Sequence, residues 1–534
     1  MKRWNGWGDT THQSHLPAGA DVFLETRVGT PTPPKDATQA QVLATVPKSR
    51  LSAHPLIKTE PQDRLLHARG QSFADWHALR TGQIGVFPDG VAYPVNEDDV
   101  KALITYAKET GAKLIPYGGG TSVVGHINPQ PSDQPVLTVD MGRLNRLISL
   151  DANTRHATFG AGIVGPDLEA MLRAQGFTLG HYPQSFEYST LGGWIAARSS
   201  GQQSLHYGRI EQLFAGGRME SPLGTLDMPN FPASAAGPDL RQWILGSEGR
   251  MGIITQATVR ISPQPEVDEF RAVFFPDFES GIAAVREIVQ AKLPLSMLRF
   301  STSIETETNL ALAGKRRLIN LLEDVLSTQG IKDKKTMFIF GVTGSKSLAK
   351  LAVKEVHGIA GRYGGVHLRI GKIFGGQWYK NRFHNPYLRN TLWDAGYAVD
   401  TVETATDWTN TPSLIALIER SLHNTLAESG EKVHVFTHLS HLYPYGTSIY
   451  TTYVFRIAPT PDETLRRWHM LKEGVSRTIV DNGGTISHQH GVGLDHMPYL
   501  SIEKGELGIG ALQSAVKFFD PNGLMNPNKL VGES

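Results

Sequence analysis

The 534-residue chain contains no cysteine. Disulfides, iron–sulfur ligation and thiol catalysis are therefore excluded, although the compartment is not decided by that fact. An excess of one charge is also missing. Lys and Arg number 52 against 51 Asp and Glu, a formal net charge of +1, with the signs interspersed. Such a balance leaves no electrostatic footprint for nucleic acid. No apolar run is long enough to span a bilayer, and the amino-terminal stretch lacks the apolar segment of a signal peptide. The terminal Gly532-Glu533-Ser534 is not a peroxisomal tripeptide, so the expectation is a soluble cytoplasmic protein. The length predicts two or three domains, each able to bury its own core.

Glycine is plentiful, and one run of it has a clear context. Asn96 is suited to cap a helix whose first turn carries Glu97, Asp98 and Asp99. Val100, Leu103, Ile104 and Ala107 repeat at helical spacing, and Gly111 supplies a left-handed stop. A short strand, Lys113–Pro116, then feeds Gly118, Gly119 and Gly120. Without side chains in the way, such a loop brings backbone amides against an anion. Two common phosphate motifs fail here: His126 stands where a phosphate-loop lysine belongs, and Val123 where a dinucleotide fingerprint needs glycine. Further glycine turns follow at Gly160/Gly162, Gly192/Gly193, Gly246/Gly249 and Gly252.

Taken with His181–Thr190 and Ala196–Gly201, this ordered set resembles the FAD-binding domain of the vanillyl-alcohol oxidase and p-cresol methylhydroxylase type. The resemblance implies an α+β fold, with a two-subdomain FAD-binding domain and an α+β cap domain built on an antiparallel sheet. It places Pro116, Tyr117, Gly118, Gly119, Gly120, Thr121 and Ser122 on the pyrophosphate. Pro183, Gln184, Ser185, Phe186, Glu187, Tyr188 and Ser189 match a second flavin-lining segment. Ala196, Ala197, Arg198 and Ser199 match a third; Ser247, Glu248, Gly249, Arg250, Met251, Gly252 and Ile253 match a fourth. Thr121 stands where many relatives tether the flavin through histidine, and no cysteine is present, so non-covalent FAD is expected.

Composition shifts divide the chain into an irregular arm with a helix near Asp63–Ala68 (1–85), the FAD domain (86–267), a cap (268–465) and a helical segment returning to the FAD domain (466–534). The alternation from Ile253 to Ser262 reads as a half-buried strand, and Pro263 and Pro265 mark a boundary. Within the cap, strands are expected at Phe270–Phe275, Leu295–Phe300 and Met337–Val342, with helices after Asp277 and at Lys315–Thr328 and Ser347–Tyr363. Gly341–Lys346 reads as a strand-to-helix turn.

The second informative cluster is Ser487-His488-Gln489-His490-Gly491-Val492-Gly493. On an extended segment His488 and His490 point the same way, toward one reacting centre or one metal. Three more histidines lie in Val433–His441, and Tyr450 and Tyr453 on opposite faces of a strand.

These residues, with Arg3-Trp-Asn-Gly-Trp-Gly8 and Gly180–Trp194, resemble the alkyldihydroxyacetonephosphate synthases over most of the chain. That family exchanges the acyl group of an acyl-dihydroxyacetone phosphate for a fatty alcohol through a flavin N5 adduct, in ether lipid synthesis. The match implies Tyr450 as proton donor or acceptor, His488 and His490 as catalytic partners near N5, and Arg389 as the phosphate ligand. Arg299 matches a further arginine that serves activity. A lipid substrate, peripheral membrane contact for its delivery and a homodimer follow from the same analogy. The synthases carry three consecutive histidines where this chain has His488-Gln489-His490, and glutamine exchanges no proton near neutral pH. The runner-up is an FAD-dependent D-2-hydroxy-acid dehydrogenase or oxidase, with His490 taking the hydroxyl proton. Gln489 replaces the glutamate that binds a metal in such relatives, so no metal is expected. A flavin-binding protein without catalysis is a third class, against which Tyr450, His490, Arg299 and Arg389 stand.

Overall fold

The computed structural model describes residues 2–12, 15–312, 316–368 and 371–532. Three main sheets organise it. The first orders its four strands as Ile57–Lys58, Gly90–Ala92, Val136–Asp140 and Lys113–Tyr117; its last three strands run parallel. The helix Glu97–Thr110 makes the crossover. Asn96 Oδ1 accepts from the Asp99 amide at 2.8 Å, and Gly111 closes the helix at φ 74°. Val100, Leu103, Ile104 and Ala107 are buried against this sheet, as their spacing predicts. Met525 bridges to Leu114 in parallel, so the carboxy-terminal segment extends the same sheet.

The second sheet is antiparallel, in the order Leu147–Asp151, His156–Gly160, Ile253–Arg260, Phe214–Ser221, Gly224–Met228. Alternation in Ile253–Arg260 puts Ala257 and Val259 in the core and leaves Gln256, Thr258 and Arg260 half-exposed. The cap sheet has six antiparallel strands: Val267–Phe275, Thr336–Gly344, Leu295–Ser301, His434–Tyr443, Gly446–Arg456, Tyr397–Asp407. Helices lie on both of its faces: Ala284, Ile288 and Val356 pack with Val273 and Phe275, while Leu310, Leu322 and Phe374 pack with Phe270, Ala272 and Phe274. Phe278–Gln290 is capped by Asp277, which accepts from the Ser280 amide at 2.8 Å, and Lys346–Arg362 starts from the turn after Gly344. The expected helix Lys315–Thr328 spans Arg316–Thr328; Lys315 lies outside the described residues.

The helix expected near Asp63–Ala68 spans Pro61–Leu66, but the rest of the amino-terminal arm departs from expectation: it is not irregular and holds further helices at Ala20–Val28, Gln39–Leu43 and Phe73–Thr81. Leu24 and Val28 pack on Leu392, Tyr397 and Val454 of the cap. Short helices of this kind take their stability from tertiary burial, which a local pattern does not record. Trp7 sits nearby, its amide donating to Asn390 Oδ1 at 3.2 Å. Gly8, at φ 85°, lies so close to the Tyr387 ring that a Cβ would collide with it.

Candidate active site

A cavity of about 440 Å³ runs between the two halves of the molecule. Its floor is the glycine loop and the segments around Pro183, Ser189, Ala196, Ser247 and Ile253; its far wall is the cap sheet. Among the described residues, the backbone amides of Gly119, Gly120, Thr121 and Ser122 donate to no protein acceptor. Unpaired amides at the edge of a cavity would be costly without a partner, and an oxyanion satisfies several at once. The glycines also answer to packing. A Cβ on Gly119 would strike the Tyr188 carbonyl, and one on Gly118 the Thr190 hydroxyl, so the loop can nest only against residues 188–190.

The four expected cofactor segments divide by side chain. Pro116, Tyr117, Gly118, Gly119, Gly120, Thr121 and Ser122 all line the cavity, as do Pro183, Gln184, Ser185 and Ser189. Ala196, Ala197, Ser199, Ser247, Glu248, Gly249, Gly252 and Ile253 do so too. The others face elsewhere. Phe186 stacks on Phe383 at 5.0 Å, Glu187 accepts from the Tyr387 hydroxyl at 3.1 Å, and Tyr188 meets Trp7 edge-on at 5.5 Å. Arg198 closes the helix Leu191–Ala197 in a left-handed conformation at φ 52°. Arg250 is buried and donates to the carbonyls of Met525 and Asn526 at 2.9 and 3.1 Å, and Met251 is core. A contiguous matched segment carries these residues along because its side chains alternate between cavity and core.

Register builds the catalytic wall. Glu403, Tyr450 and His438 are direct neighbours across three adjacent strands. Tyr450 lines the cavity and donates to Thr401 Oγ1 at 3.2 Å. Burial, reinforced by Glu403 and opposed by Thr401, pushes its pKa to about 12, so it is a phenol at neutral pH. His438 receives Arg299 Nη1 at 2.9 Å on Nε2, and its Nδ1 faces Glu305 Oε2 at 3.0 Å. Arg299 also pairs with Glu305 Oε1. Burial would raise the Glu305 pKa, yet His438 and Arg299 hold it down at about 2. Arg299 is thus held by hydrogen bonds to two side chains, whereas Arg389 has its counter-charge Asp400 only at 3.8 Å, beyond hydrogen-bond reach. Arg389 donates to the Gln71 carbonyl at 2.5 Å and lies over Trp76 at 4.8 Å, while its Nε and Nη2 are buried without hydrogen-bond partners.

His488 and His490 diverge, contrary to the extended geometry expected. Residues 486–490 bend around the Glu403 carboxylate, whose Oε1 accepts from the amides of His488, Gln489 and His490 at 3.1, 2.7 and 2.8 Å. His490 and Gln489 then line the cavity, with the His490 ring edge-on to Tyr450 at 6.0 Å. His488 does not line it; its Nε2 meets Tyr443 Oη and Arg209 Nη1, each at 2.6 Å, behind the turn. His441 is held by Ser200 and Ser204, away from His438, and no cluster among the described residues has the makeup of a metal site. Sequence reasoning missed Glu403, Glu305 and Asn526. Asn526 Nδ2 donates to the carbonyls of His126 and Glu248 at 3.0 and 2.7 Å, tying the carboxy-terminal segment to the cavity floor. The available signal was an acid within the otherwise uncharged strand stretch 401–406 for Glu403; Glu305, in the helix Ser303–Leu312, and Asn526 gave none.

An amide-lined floor set against a phenol, an imidazole and a guanidinium with free hydrogen-bonding capacity defines the catalytic half of a flavoenzyme. Residues 88–226 match an FAD binding domain and residues 264–530 the C-terminal domain of FAD linked oxidases. The alkyldihydroxyacetonephosphate synthase of Trypanosoma brucei brucei is 30% identical over 484 residues, covering 89% of this chain and 78% of that one. A solved alkyldihydroxyacetonephosphate synthase superposes with TM-score 0.84 at 26% identity, covering 99% of both chains. The p-cresol methylhydroxylase structure with substrate bound shares the fold, at TM-score 0.70, 13% identity, and 93% and 98% coverage. The chain belongs to the alkyldihydroxyacetonephosphate synthase family, and it is an enzyme whose cofactor is FAD.

Proposed function

We propose that the chain exchanges the acyl group of an acyl-dihydroxyacetone phosphate for a fatty alcohol. The observation that carries this is the pairing, in one cavity, of Arg389, whose Nε and Nη2 make no hydrogen bond and have Asp400 only at 3.8 Å, with an apolar stretch of wall formed by Leu24, Leu312, Leu388, Leu392, Phe436 and Val454. A guanidinium fork suits phosphate, and the apolar stretch suits a long chain. A small hydroxy acid would leave that stretch unused.

Non-covalent FAD would rest its diphosphate on the amides of Gly119, Gly120, Thr121 and Ser122. When bound, the flavin supplies an electron-poor ring that takes up and returns an electron pair at the glycerone carbon. This chain's residues do the rest. Tyr450 Oη holds the mobile proton, with Thr401 Oγ1 as its resting acceptor. His490, kept neutral by burial, is placed to receive a proton. Arg299, locked by Glu305 and His438, presents a fixed positive charge beside the phenol. Among the described residues no helix is long and apolar enough to cross a membrane. An amphiphilic substrate accordingly favours peripheral contact with a lipid surface, and a cytoplasmic enzyme docking on such a surface is the location that fits this reading.

The test is product analysis with an acyl-dihydroxyacetone phosphate and a long-chain alcohol, beside anaerobic mixing with D-lactate. Alkyl product with an unbleached flavin is expected. Bleaching by D-lactate without alkyl product would overturn the reading in favour of the hydroxy-acid oxidoreductase.

A further inference from the structure

We propose that Glu403 is a positioning residue: its carboxylate is the template on which residues 487–490 fold, and its fixed negative charge sets the proton affinity of His490. The inference rests on the reading of His490 as a group of the catalytic cavity.

The geometry is that of an anion in a nest of amides, with the anion supplied by the protein itself. Three successive N–H groups, of His488, Gln489 and His490, converge on Oε1, and the Ser487 hydroxyl adds a fourth donor at 3.2 Å. Ser487 Oγ in turn accepts from the His490 amide at 3.1 Å. Oε2 faces His488 Nδ1 at 3.5 Å and makes no hydrogen bond. His490 Nδ1 stands 3.6 Å from Oε1, and the Glu403 side chain is only 1% exposed. A buried carboxylate held by several N–H groups stays ionised. Burial alone would raise the Glu403 pKa, but the facing His490 and His488 and the Gln489 amide hold it well below the ordinary value.

Other contacts hold the two ends of the turn, Glu503 accepting from the Ile486 amide at 3.2 Å and Arg209 Nη2 donating to the His488 carbonyl at 2.9 Å, but Glu403 is the acceptor on which its three successive amides converge. Residues 486–490 belong to no helix or strand, and the strand neighbours of Glu403 are Tyr450 and, beyond it, His438. The carboxylate therefore joins the cavity wall to the turn that crosses it. It also dominates the charge around His490. The charged and titratable groups facing that imidazole are Glu403 and Asp400 from one strand, Tyr450 from the next, Lys472 from the helix Pro461–Asp481, His126 from the glycine-loop side, and His488 and His496 from its own segment. Burial lowers the His490 pKa, and Glu403 is the first influence that raises it. Removing the negative charge while keeping the side-chain shape must lower the His490 pKa further.

Glu403→Gln in the holoenzyme tests the charge, because the amide oxygen can still accept from the turn; Glu403→Asp keeps the charge and shortens its reach. His490 titration, followed by nitrogen-15 histidine NMR and assigned with His490→Gln, is expected to move down by about one pH unit in Glu403→Gln. It is expected to stay within a few tenths of a unit of wild type in Glu403→Asp, although turnover falls in both. An unmoved His490 titration in Glu403→Gln, or equal loss of bound flavin in both variants with wild-type titration, would overturn the proposal and leave a residue of structural importance only. Should the glutamine variant fail to fold, hydrogen exchange of the wild-type chain decides. The amides of 488–490 are expected among the slowest loop amides, and rapid exchange overturns the proposal. If wild type forms no alkyl product while the titration still shifts, the proposed function falls and the role of Glu403 stands.

Discussion

The imidazole of His438 lies against the phenol ring of Tyr450, with centroids 5.0 Å apart and planes inclined by 28°. With both ring nitrogens engaged by Glu305 and Arg299, His438 is a rigid backing plate for the Tyr450 phenol. Tyr450→Phe keeps the ring stack and deletes the proton. Turnover is expected to fall by about a hundredfold or more, while the flavin absorbance per chain stays at the wild-type value. Full turnover in this variant would remove Tyr450 from the mechanism.

Arg389 is expected to govern substrate affinity. Arg389→Ala removes the fork and a charge-assisted contact of about 1.5–3 kcal/mol, so KM for the phosphorylated substrate should rise roughly ten- to hundredfold. Arg389→Lys should recover little of this, because a point charge reproduces neither the fork nor the stacking on Trp76. Steady-state kinetics with phosphorylated and dephosphorylated substrate check both statements.

Gly119→Ala is expected to yield chain with little bound flavin. A methyl group at this position drives into the Tyr188 carbonyl, and backbone cannot rotate aside as a side chain would. The ratio of flavin to protein absorbance after purification measures the loss, and a wild-type ratio would show that the loop has room to shift.

Gln489→His should leave the fold intact, since Glu403 holds residue 489 by its backbone amide. The side chain lines the cavity, so the change adds a proton-exchanging group there. Faster alkyl transfer is the expected result, measured as kcat with a fixed acyl substrate. An unchanged rate would mean that the glutamine serves a different substrate.

Acid sensitivity follows from the buried histidines. Burial, with Arg209 nearby, drives His181 to a pKa of about 3, where its Nε2 meets Ser199 Oγ at 2.8 Å. The unfolded chain binds that proton below about 6.5, so the associated stability is complete above that pH and is lost as pH falls toward 3. Glu305, depressed to about 2, adds a second loss beginning below about 4.5. Tm should therefore decline from pH 6.5 downward, and His181→Gln should be less stable at pH 7.5 but show a shallower decline. Calorimetry across pH 4 to 7.5 tests this.

What was legible in the sequence was local. The cap at Asn96, the stop at Gly111 and the apolar spacing between them fixed the approach to the glycine loop, and alternation fixed the faces of Ile253–Arg260. Long-range register was not legible. Glu403 is 84 to 87 residues from the turn it holds, and only strand pairing brings it beside Tyr450. Without that carboxylate in view, the spacing of His488 and His490 suggested a shared direction; a bend around an anion sends them apart. Helices of the amino-terminal arm escaped for the same reason, since Leu24 and Val28 meet the cap, and Val42 and Leu79 meet Leu65 and Phe87 from distant stretches of the arm.

Asn526 clasps two carbonyls of the cavity floor, and Met525 pairs with the strand that leads into the glycine loop. The flavin cradle is therefore incomplete until residue 526 has left the ribosome. Cofactor capture becomes a late event in biogenesis, and a nascent chain stalled before this point would emerge without colour.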